Sequence, residues 1–251
     1  MRIKDLKPGI DLCIVASRRP ELLNATLTSF NDGMLNRFDI INVFANIDPI
    51  WGDQNDHEKT IAVLRSHFPR ALINEPKEAN FCAAVRNNWL QIKSPYAFHL
   101  EDDWEMIVPQ DASILAPFDI DNVKQVALNC REKHWDFGKG NFHLIRKSRR
   151  TFGVKLPVKQ VLPAFTTSPS FVERGFAIKC ASLYDIRFDP EKQFFEGVNP
   201  VLQKFVRDYS VFLSSDNHAP IIRDIGREWR NKRNIEKQVR RGKSIWKQTV
   251  G

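Results

Sequence analysis

The sequence predicts an α/β fold in which a doubly wound, largely parallel mixed sheet carries helices on both faces. Short apolar runs rich in β-branched residues alternate with stretches of helical period from residue 11 to residue 105. The connections between them are short, as they are where strands and helices alternate in a parallel sheet. A chain of 251 residues with 42% hydrophobic side chains is long enough to bury one large core.

Each element of this N-terminal part has its own signal. The apolar run 11–16 predicts a buried first strand, and Pro20 suits the first position of the helix that follows and ends near Gly33. Two further helices are expected before Pro69 and before Pro95, because apolar residues recur there at helical spacing. The remaining strands are predicted at 40–47, 71–74 and 96–100.

The pattern after residue 105 is less regular. It predicts, in chain order, a strand at 123–130, a basic loop at 139–159, a strand at 176–180 and a helix at 200–209. No internal repeat or low-complexity linker separates these elements from the N-terminal part. We therefore expect one domain over residues 1–226, followed by a short tail at 227–251.

Composition excludes several classes of protein. The longest apolar runs span about five residues, far short of the roughly 20 that cross a bilayer, and the charged N-terminus is unlike a secretory signal. The cysteines lie far apart without zinc-ligand spacing, so we expect reduced thiols in the core at Cys13, Cys82, Cys130 and Cys180. These features indicate a cytoplasmic protein without a transmembrane segment.

Positive charge is concentrated at the C-terminus. The chain carries a net charge of +8, and the segment from Gly226 to Gly251 holds nine basic residues against two acidic ones, a net +7. Such a segment favours an anionic partner, which can be DNA, an anionic membrane surface or a phosphorylated substrate. The alternative is a solvated, partly helical tail that binds nothing.

Three consecutive carboxylates, Glu101, Asp102 and Asp103, follow the strand predicted at 96–100. Like charges so close together repel one another, and a divalent cation relieves the repulsion. Oxygen ligands suit Mg²⁺ or Mn²⁺. Because ligands of doubly wound sheets bind beyond the carboxyl ends of the strands, this position favours a metal site over a solvated acidic turn.

Three segments carry a resemblance to a known family. IVASRRPELL (14–23) follows the first strand, NFCAAVRNNW (80–89) forms a helix, and HLEDDW (99–104) ends a strand. In this order they resemble the first loop, the N-x-G-x-x-x-A-R-N helix and the D-x-D motif of family-2-like GT-A glycosyltransferases. The resemblance implies a Rossmann-like GT-A fold, a nucleoside diphosphate sugar as donor and Mn²⁺ or Mg²⁺ as cofactor. It also implies a nucleotide-binding half at 1–105 and an acceptor half at 106–226.

The same resemblance implies roles for individual residues. Asp103 and Glu101 would hold the metal, and a late histidine, His218, is a third candidate ligand beside its alternative as a structural residue. Asp48 would contact the base or ribose, Arg86 the nucleotide and Asp102 the ribose. The first loop adds further contacts to the nucleotide sugar, and two late arginines would form a basic clamp for the diphosphate. The residues expected at the nucleotide sugar are therefore Ala16, Ser17, Arg19, Asp48, Arg86, Asp102, Arg223 and Arg227.

A transfer to a hydroxyl needs a general base, which a carboxylate near apolar side chains can provide. Glu196, which follows two phenylalanines, is the first candidate and Glu191 the second, with a plain helix-start acid as the alternative for either. The segment 166–171, TTSPSF, resembles the stretch before the acceptor site in related transferases.

The leading hypothesis is therefore a metal-dependent glycosyltransferase that acts on a modified DNA base or on a glycan or lipid-linked precursor. The basic tail and the basic run 146–150 suit either acceptor. One alternative is a carboxylate–metal nuclease. Another is a non-catalytic nucleic-acid-binding protein, which leaves the strand-end carboxylates unexplained. The oligomeric state stays open.

Overall fold

The computed structural model describes residues 7–132, 135, 140–151, 154–240 and 242–248, with the backbone alone at 147–151, 154–160, 237, 239–240 and 244–248. The strands are β1 (Gly9–Ser17), β2 (Asp39–Asp48), β3 (Leu72–Asn74), β4 (Tyr96–Glu101), β5 (Trp104–Met106), β6 (Val123–Leu128), β7 (Leu144–Thr151), β8 (Val154–Pro163), β9 (Ser170–Glu173), β10 (Ser210–Ser214), β11 (Ile222–Asp224), β12 (Ile235–Arg240) and β13 (Lys243–Gln248). The α-helices are α1 (Pro20–Gly33), α2 (Gln54–His67), α3 (Phe81–Leu90), α4 (Arg174–Leu183), α5 (Pro190–Gln193), α6 (Pro200–Val206) and α7 (Ile225–Asn231).

Within the described residues, seven strands form one mixed sheet in the order β10, β6, β9, β4, β1, β2, β3. β1 lies near the middle and pairs in parallel with β2 and β4. β9 runs antiparallel between β4 and β6 and makes the sheet mixed. The architecture is the mixed α/β class that the sequence predicts.

Both faces of the sheet are covered. Along β1, Leu12 and Ile14 belong to one apolar cluster, together with Leu23 of α1, whereas Cys13 and Val15 belong to a second cluster on the other face. A strand buried on both sides needs apolar residues at every position, which is why β1 appears in the sequence as one continuous apolar run. All four cysteines are free and buried, as predicted.

Two predicted elements need correction. The apolar segment 176–180, expected as a strand, lies in helix α4. Glu173 caps that helix by accepting the backbone N–H of Gly175 and Phe176, and the strand at this place is the preceding β9. The region 139–159, expected as a loop, contains most of the antiparallel hairpin β7–β8. The side chains of 147–150 in its basic run lie outside the described residues.

The C-terminal part is folded onto the rest. Helix α7 begins at Ile225 and runs across the predicted boundary between 226 and 227. It is followed by the hairpin β12–β13, whose turn residue Gly242 accepts a hydrogen bond from the Asp189 N–H at 2.8 Å. Among the described residues, no helix has the length and apolar character needed to cross a membrane.

Candidate active site

The parallel pairing brings three polar strand ends to one edge of the sheet. Ser17 at the end of β1 is in register with Asp48 of β2, and Val15 is in register with Glu101 of β4. At this edge lies a cleft of about 460 Å³. Its other walls come from the loop before α5 and from α7, so the C-terminal half of the chain completes the site.

Asp102 organises the floor of the cleft and is almost completely buried. One carboxylate oxygen accepts the Ser17 N–H at 2.8 Å and the Ser17 hydroxyl at 3.0 Å. The Arg19 guanidinium forms an ion pair with the other oxygen and also donates to the Ser17 hydroxyl. These bonds tie the loop after β1 to the end of β4.

Asp103 lies between two guanidinium groups. Arg19 approaches its Oδ2 at 3.2 Å and Arg230 of α7 approaches the same oxygen at 3.3 Å. Arg230 also binds Asp224 Oδ2 at 3.1 Å, so one guanidinium bridges two carboxylates. The N–H of Gly226 donates to the Asp103 carbonyl at 3.1 Å, which fixes the start of α7 against the end of β4.

Gly226 is required by this close approach. A Cβ atom at position 226 would lie 2.1 Å from Asp103 Oδ2, well inside van der Waals contact. The absence of a side chain at Gly226 therefore permits the approach of Asp103 to α7.

Burial and charge set the protonation states here. Burial by itself would lower the pKa of Arg19, but the carboxylates of Asp102 and Asp103 raise it above its usual value, so the guanidinium stays charged. Burial raises the pKa of Asp102, against the effect of Arg19. The pKa of Asp224 is raised by burial and then by Asp103, with Arg230 acting in the opposite direction. The negative charge of Asp103 therefore disfavours the ionised form of Asp224, and the positive charge of Arg230 favours it.

A second wall of the cleft follows β2. Asp48 accepts a hydrogen bond from the Asn46 side chain at 2.8 Å, and Asn46 in turn accepts one from Asn74 at 2.6 Å. Burial raises the pKa of Asp48. Trp51, which also lines the cleft, has a positive φ of 72°, a conformation uncommon for a bulky residue. Such a conformation persists where the surroundings hold it, often at a binding site.

The third wall carries Glu191 at the start of α5. Its carboxylate accepts the Thr166 hydroxyl at 2.9 Å and pairs with Lys192 at 3.2 Å. Asp189, which also lines the cleft, caps α5 by accepting the backbone N–H groups of Glu191 and Lys192. Glu191 thus has its carboxylate beside the cleft, whereas Asp189 is engaged by its own helix.

The cleft collects most of the residues expected from the sequence. Those that line it are Ala16, Ser17, Arg19, Asp48, Glu101, Asp102, Asp103, Glu191 and Arg227. Four others, Arg86, Glu196, His218 and Arg223, are not among the described residues lining it.

All four lie elsewhere. Arg86 is half-buried in α3, and Glu196 is exposed. His218 is exposed, has a positive φ, and offers its carbonyl to the Asn129 side chain. Arg223 pairs with Glu105 on the neighbouring strand. Within the described part of the chain, no three His, Cys, Asp or Glu side chains form a preformed metal cluster.

Four further residues, Asp224, Arg230, Trp51 and Glu132, line the cleft and were not predicted from the sequence. A local signal existed for one of them. Asp224 is a favourable N-cap residue directly before Ile225, where α7 begins, and it accepts the Arg227 N–H as caps do. Arg227 and Arg230, three residues apart, then fall on one side of the helix.

We compared the chain with protein families, curated proteins and solved structures, and only the solved structures gave matches. No protein-family model matches the chain, and no curated protein matches it. Over 88% of its length the chain is similar to a mannosyltransferase from Pyrobaculum calidifontis in complex with GDP-Man and Mn²⁺, at 10% identity and a TM-score of 0.55. It is similar over 88% to GalNAc-T7 with UDP, GalNAc and Mn²⁺, at 12% identity and a TM-score of 0.57.

The matched region is a part of those proteins, since the chain spans 59% of the first and 44% of the second. At sequence identities of 10% and 12%, the structural similarity is evidence for the fold alone. It confirms that this chain has the GT-A fold which the sequence predicts.

Proposed function

We propose that this protein is a metal-dependent glycosyltransferase that moves a sugar from a nucleoside diphosphate sugar to an acceptor hydroxyl. The observation that carries the proposal is the cleft at the carboxyl ends of β1, β2 and β4, where Asp103 and Asp224 meet a group of arginines. A leaving diphosphate requires that its negative charge be stabilised. Carboxylates can hold a divalent cation for this purpose, and guanidinium groups can bind the phosphates directly. Two proteins of the same fold have a nucleotide or nucleotide sugar with Mn²⁺ in their solved structures.

The metal ligands that we propose are Asp103 and Asp224. Both carboxylates contact the guanidinium of Arg230, through oxygens 3.3 Å and 3.1 Å from its nitrogens, so the two acids converge on one positive charge. Mg²⁺ and Mn²⁺ sites in such enzymes commonly use one or two carboxylates, with water and phosphate oxygens completing the shell. The donor set therefore fits Mn²⁺ or Mg²⁺. Glu101 is nearby on the cleft wall, and Asp224 takes the place that the sequence analysis gave to His218.

The nucleotide sugar would bind along the β1 and β2 walls. Asp48, held by Asn46, is the acceptor for hydroxyl or amino groups of the nucleoside, and Trp51 offers an aromatic surface beside it. Arg19 and Arg227 face the same cleft and would neutralise the diphosphate. When bound, the metal would stabilise the charge that develops on the diphosphate as the sugar leaves.

Glu191 is the general base in this proposal. Its carboxylate would take the proton of the acceptor hydroxyl, whose oxygen then forms the new bond to the sugar. The bond between the sugar and the diphosphate breaks, and its electron pair remains on the diphosphate. The Thr166 hydroxyl and Lys192 hold the Glu191 carboxylate at the cleft wall, whereas Glu196 is exposed away from the lining residues. The geometry therefore favours the second candidate from the sequence over the first.

The acceptor is proposed to be polyanionic, either DNA carrying a modified base or a glycan or lipid-linked precursor at an anionic surface. Two antiparallel hairpins, β7–β8 and β12–β13, carry clusters of basic residues. In the first hairpin the backbone register pairs position 150 with position 155, and both positions carry a basic residue, Arg150 and Lys155. Support for an anionic acceptor comes from this register and from the sequence.

The donor site is tested by thermal shift with a panel of nucleoside diphosphate sugars, with and without Mn²⁺. A ligand that binds only the native state raises the melting temperature by mass action, so at least one donor is expected to stabilise the protein only when Mn²⁺ is present. The Asp103→Asn variant should lose that shift, and the matched control Glu58→Gln, an exposed acid on α2, should keep it. Failure of the whole panel, together with Mn²⁺-dependent DNA cleavage, would replace the proposal by the nuclease alternative.

The acceptor is tested by charge neutralisation. Deletion of β12–β13 would disturb Asp189 and the helix α5 that carries Glu191, because Asp189 caps α5 and its N–H binds the hairpin turn. Substitution of the basic residues of that hairpin by glutamine leaves the backbone in place. A DNA acceptor predicts duplex binding that falls steeply from about 50 to 200 mM salt and weakens in the variant. An anionic surface predicts the same behaviour with liposomes and little duplex binding.

A further inference from the structure

Arg230 occupies an unusual position in the cleft. Its side chain is only 19% exposed, and its two terminal nitrogens bind separate carboxylates, Asp103 at 3.3 Å and Asp224 at 3.1 Å. These two carboxylates are the metal ligands proposed above. The positive charge that they share in the structure is supplied by a side chain of the protein itself.

The need for a cation at this point is electrostatic. Two carboxylates in a partly buried cleft repel one another. The single guanidinium of Arg230 contacts both of them and relieves this repulsion. A divalent cation held by the same two carboxylates would have to displace Arg230.

The backbone allows Arg230 to move without loss of α7. The start of the helix is anchored at Gly226, whose N–H binds the Asp103 carbonyl, and Arg230 lies about one turn further along. Arg230 is a long side chain with several rotatable bonds, so it can leave the carboxylates while the helix stays in place. Arg227, three residues earlier, lines the same cleft, so this side of α7 faces the cleft in which we propose that the diphosphate binds.

We propose, resting on the function proposed above, that Arg230 is an internal counter-ion for the metal position and a ligand of the donor diphosphate. Without a nucleotide it holds Asp103 and Asp224 and opposes metal binding. When metal and nucleotide enter together, Arg230 exchanges its carboxylates for the phosphate oxygens, a charge-assisted contact of the same kind. Metal and nucleotide thereby bind cooperatively, and Arg230 is the residue that couples them.

The experiment measures Mn²⁺ affinity calorimetrically for the wild type, Arg230→Gln and the control Arg233→Gln, each alone and with UDP or GDP. Arg233 stacks over Trp229 on an exposed side of the same segment and contacts neither carboxylate in the described structure. Wild type and control should bind Mn²⁺ at least about tenfold more tightly with one of the nucleotides. Arg230→Gln should bind Mn²⁺ alone at least about fivefold more tightly than the wild type and should lose most of the coupling.

The outcomes separate this inference from the proposed function. Unchanged or weaker binding of Mn²⁺ alone by Arg230→Gln, with coupling retained, would overturn the counter-ion role and leave the glycosyltransferase standing. If the wild type shows no metal–nucleotide coupling but Arg230→Gln gains Mn²⁺ binding, the counter-ion role holds and the proposed donor site fails. An Arg230→Lys variant should keep weak binding of Mn²⁺ alone, because it retains the positive charge, and tight binding there would also count against the inference.

Discussion

Asp102 and Asp103 are adjacent carboxylates for which the structure predicts opposite consequences of the same substitution. Asp102 is buried and accepts hydrogen bonds from the Ser17 N–H, the Ser17 hydroxyl and the Arg19 guanidinium. Its replacement by asparagine removes the charge that balances a buried arginine and turns an NH₂ group toward donors. Asp103 lies at the cleft, and its replacement by asparagine changes the charge of the site but leaves the packing of the core almost unchanged.

The size of the Asp102→Asn effect follows from these contacts. Breaking a buried ion pair by removal of one partner costs about 3–5 kcal/mol. Asp103 remains 3.2 Å from Arg19 and compensates in part, so we expect a loss near the lower bound, about 3 kcal/mol. For a chain of this size each kcal/mol lowers the melting temperature by about 2–4 °C, which gives a decrease of roughly 6–12 °C.

The assay is thermal and urea unfolding of the two variants side by side, followed by Mn²⁺ titration with the nucleotide. Asp103→Asn should unfold within about 1 kcal/mol of the wild type and should lose at least about tenfold in metal affinity. The reasoning is refuted if Asp102→Asn melts within about 2 °C of the wild type. It is equally refuted if Asp103→Asn is the more destabilised of the two, since Asp103 would then be the structural carboxylate.

Three further predictions follow from single contacts. Gly226→Ala should lower Mn²⁺–nucleotide affinity at least about tenfold while the protein stays folded, as seen by calorimetry and melting, because a Cβ would displace the Asp103 carboxylate. Burial lowers the pKa of His99 to about 4, so the unfolded chain takes up this proton first. Urea unfolding should show up to about 3 kcal/mol of stability lost as the pH falls from about 6.5 to 4, a loss that His99→Gln should lack. Glu191→Gln should reduce sugar transfer about 10²-fold or more with donor binding intact, and the exposed Glu196→Gln should remain near wild type; the reverse result would restore Glu196 as the base.

The N-terminal half of the fold could be predicted because its signals are local. A strand buried on both faces is a continuous apolar run, as β1 is, and proline or glycine residues mark the ends of its helices. The parallel topology then brings the strand ends together without further information, which is why Asp48, Asp102 and Asp103 could be placed at one site.

The short apolar segment 176–180 could not be assigned in the same way. A segment of five residues, four of them apolar, is compatible with a strand or with a buried helix, and periodicity alone does not decide between them. The cap does decide, because Glu173 accepts two N–H groups at the start of α4. Arg230 could not be placed for a different reason: Arg230 and Asp103 are 127 residues apart in the chain, and only tertiary packing joins them.

The placement of α7 also changes which partners we assign to the positive charge at the C-terminus. In the sequence, this charge of +7 points as a whole to an external anion. In the structure, Arg227 and Arg230 face the cleft, and Arg230 neutralises carboxylates of the chain itself. Part of the charge therefore lies at the proposed donor site, and most of the rest is carried by the hairpin β12–β13, where we propose that a polyanionic acceptor binds. A truncation of the whole segment would mix these two functions, whereas substitutions confined to α7 or to the hairpin separate them.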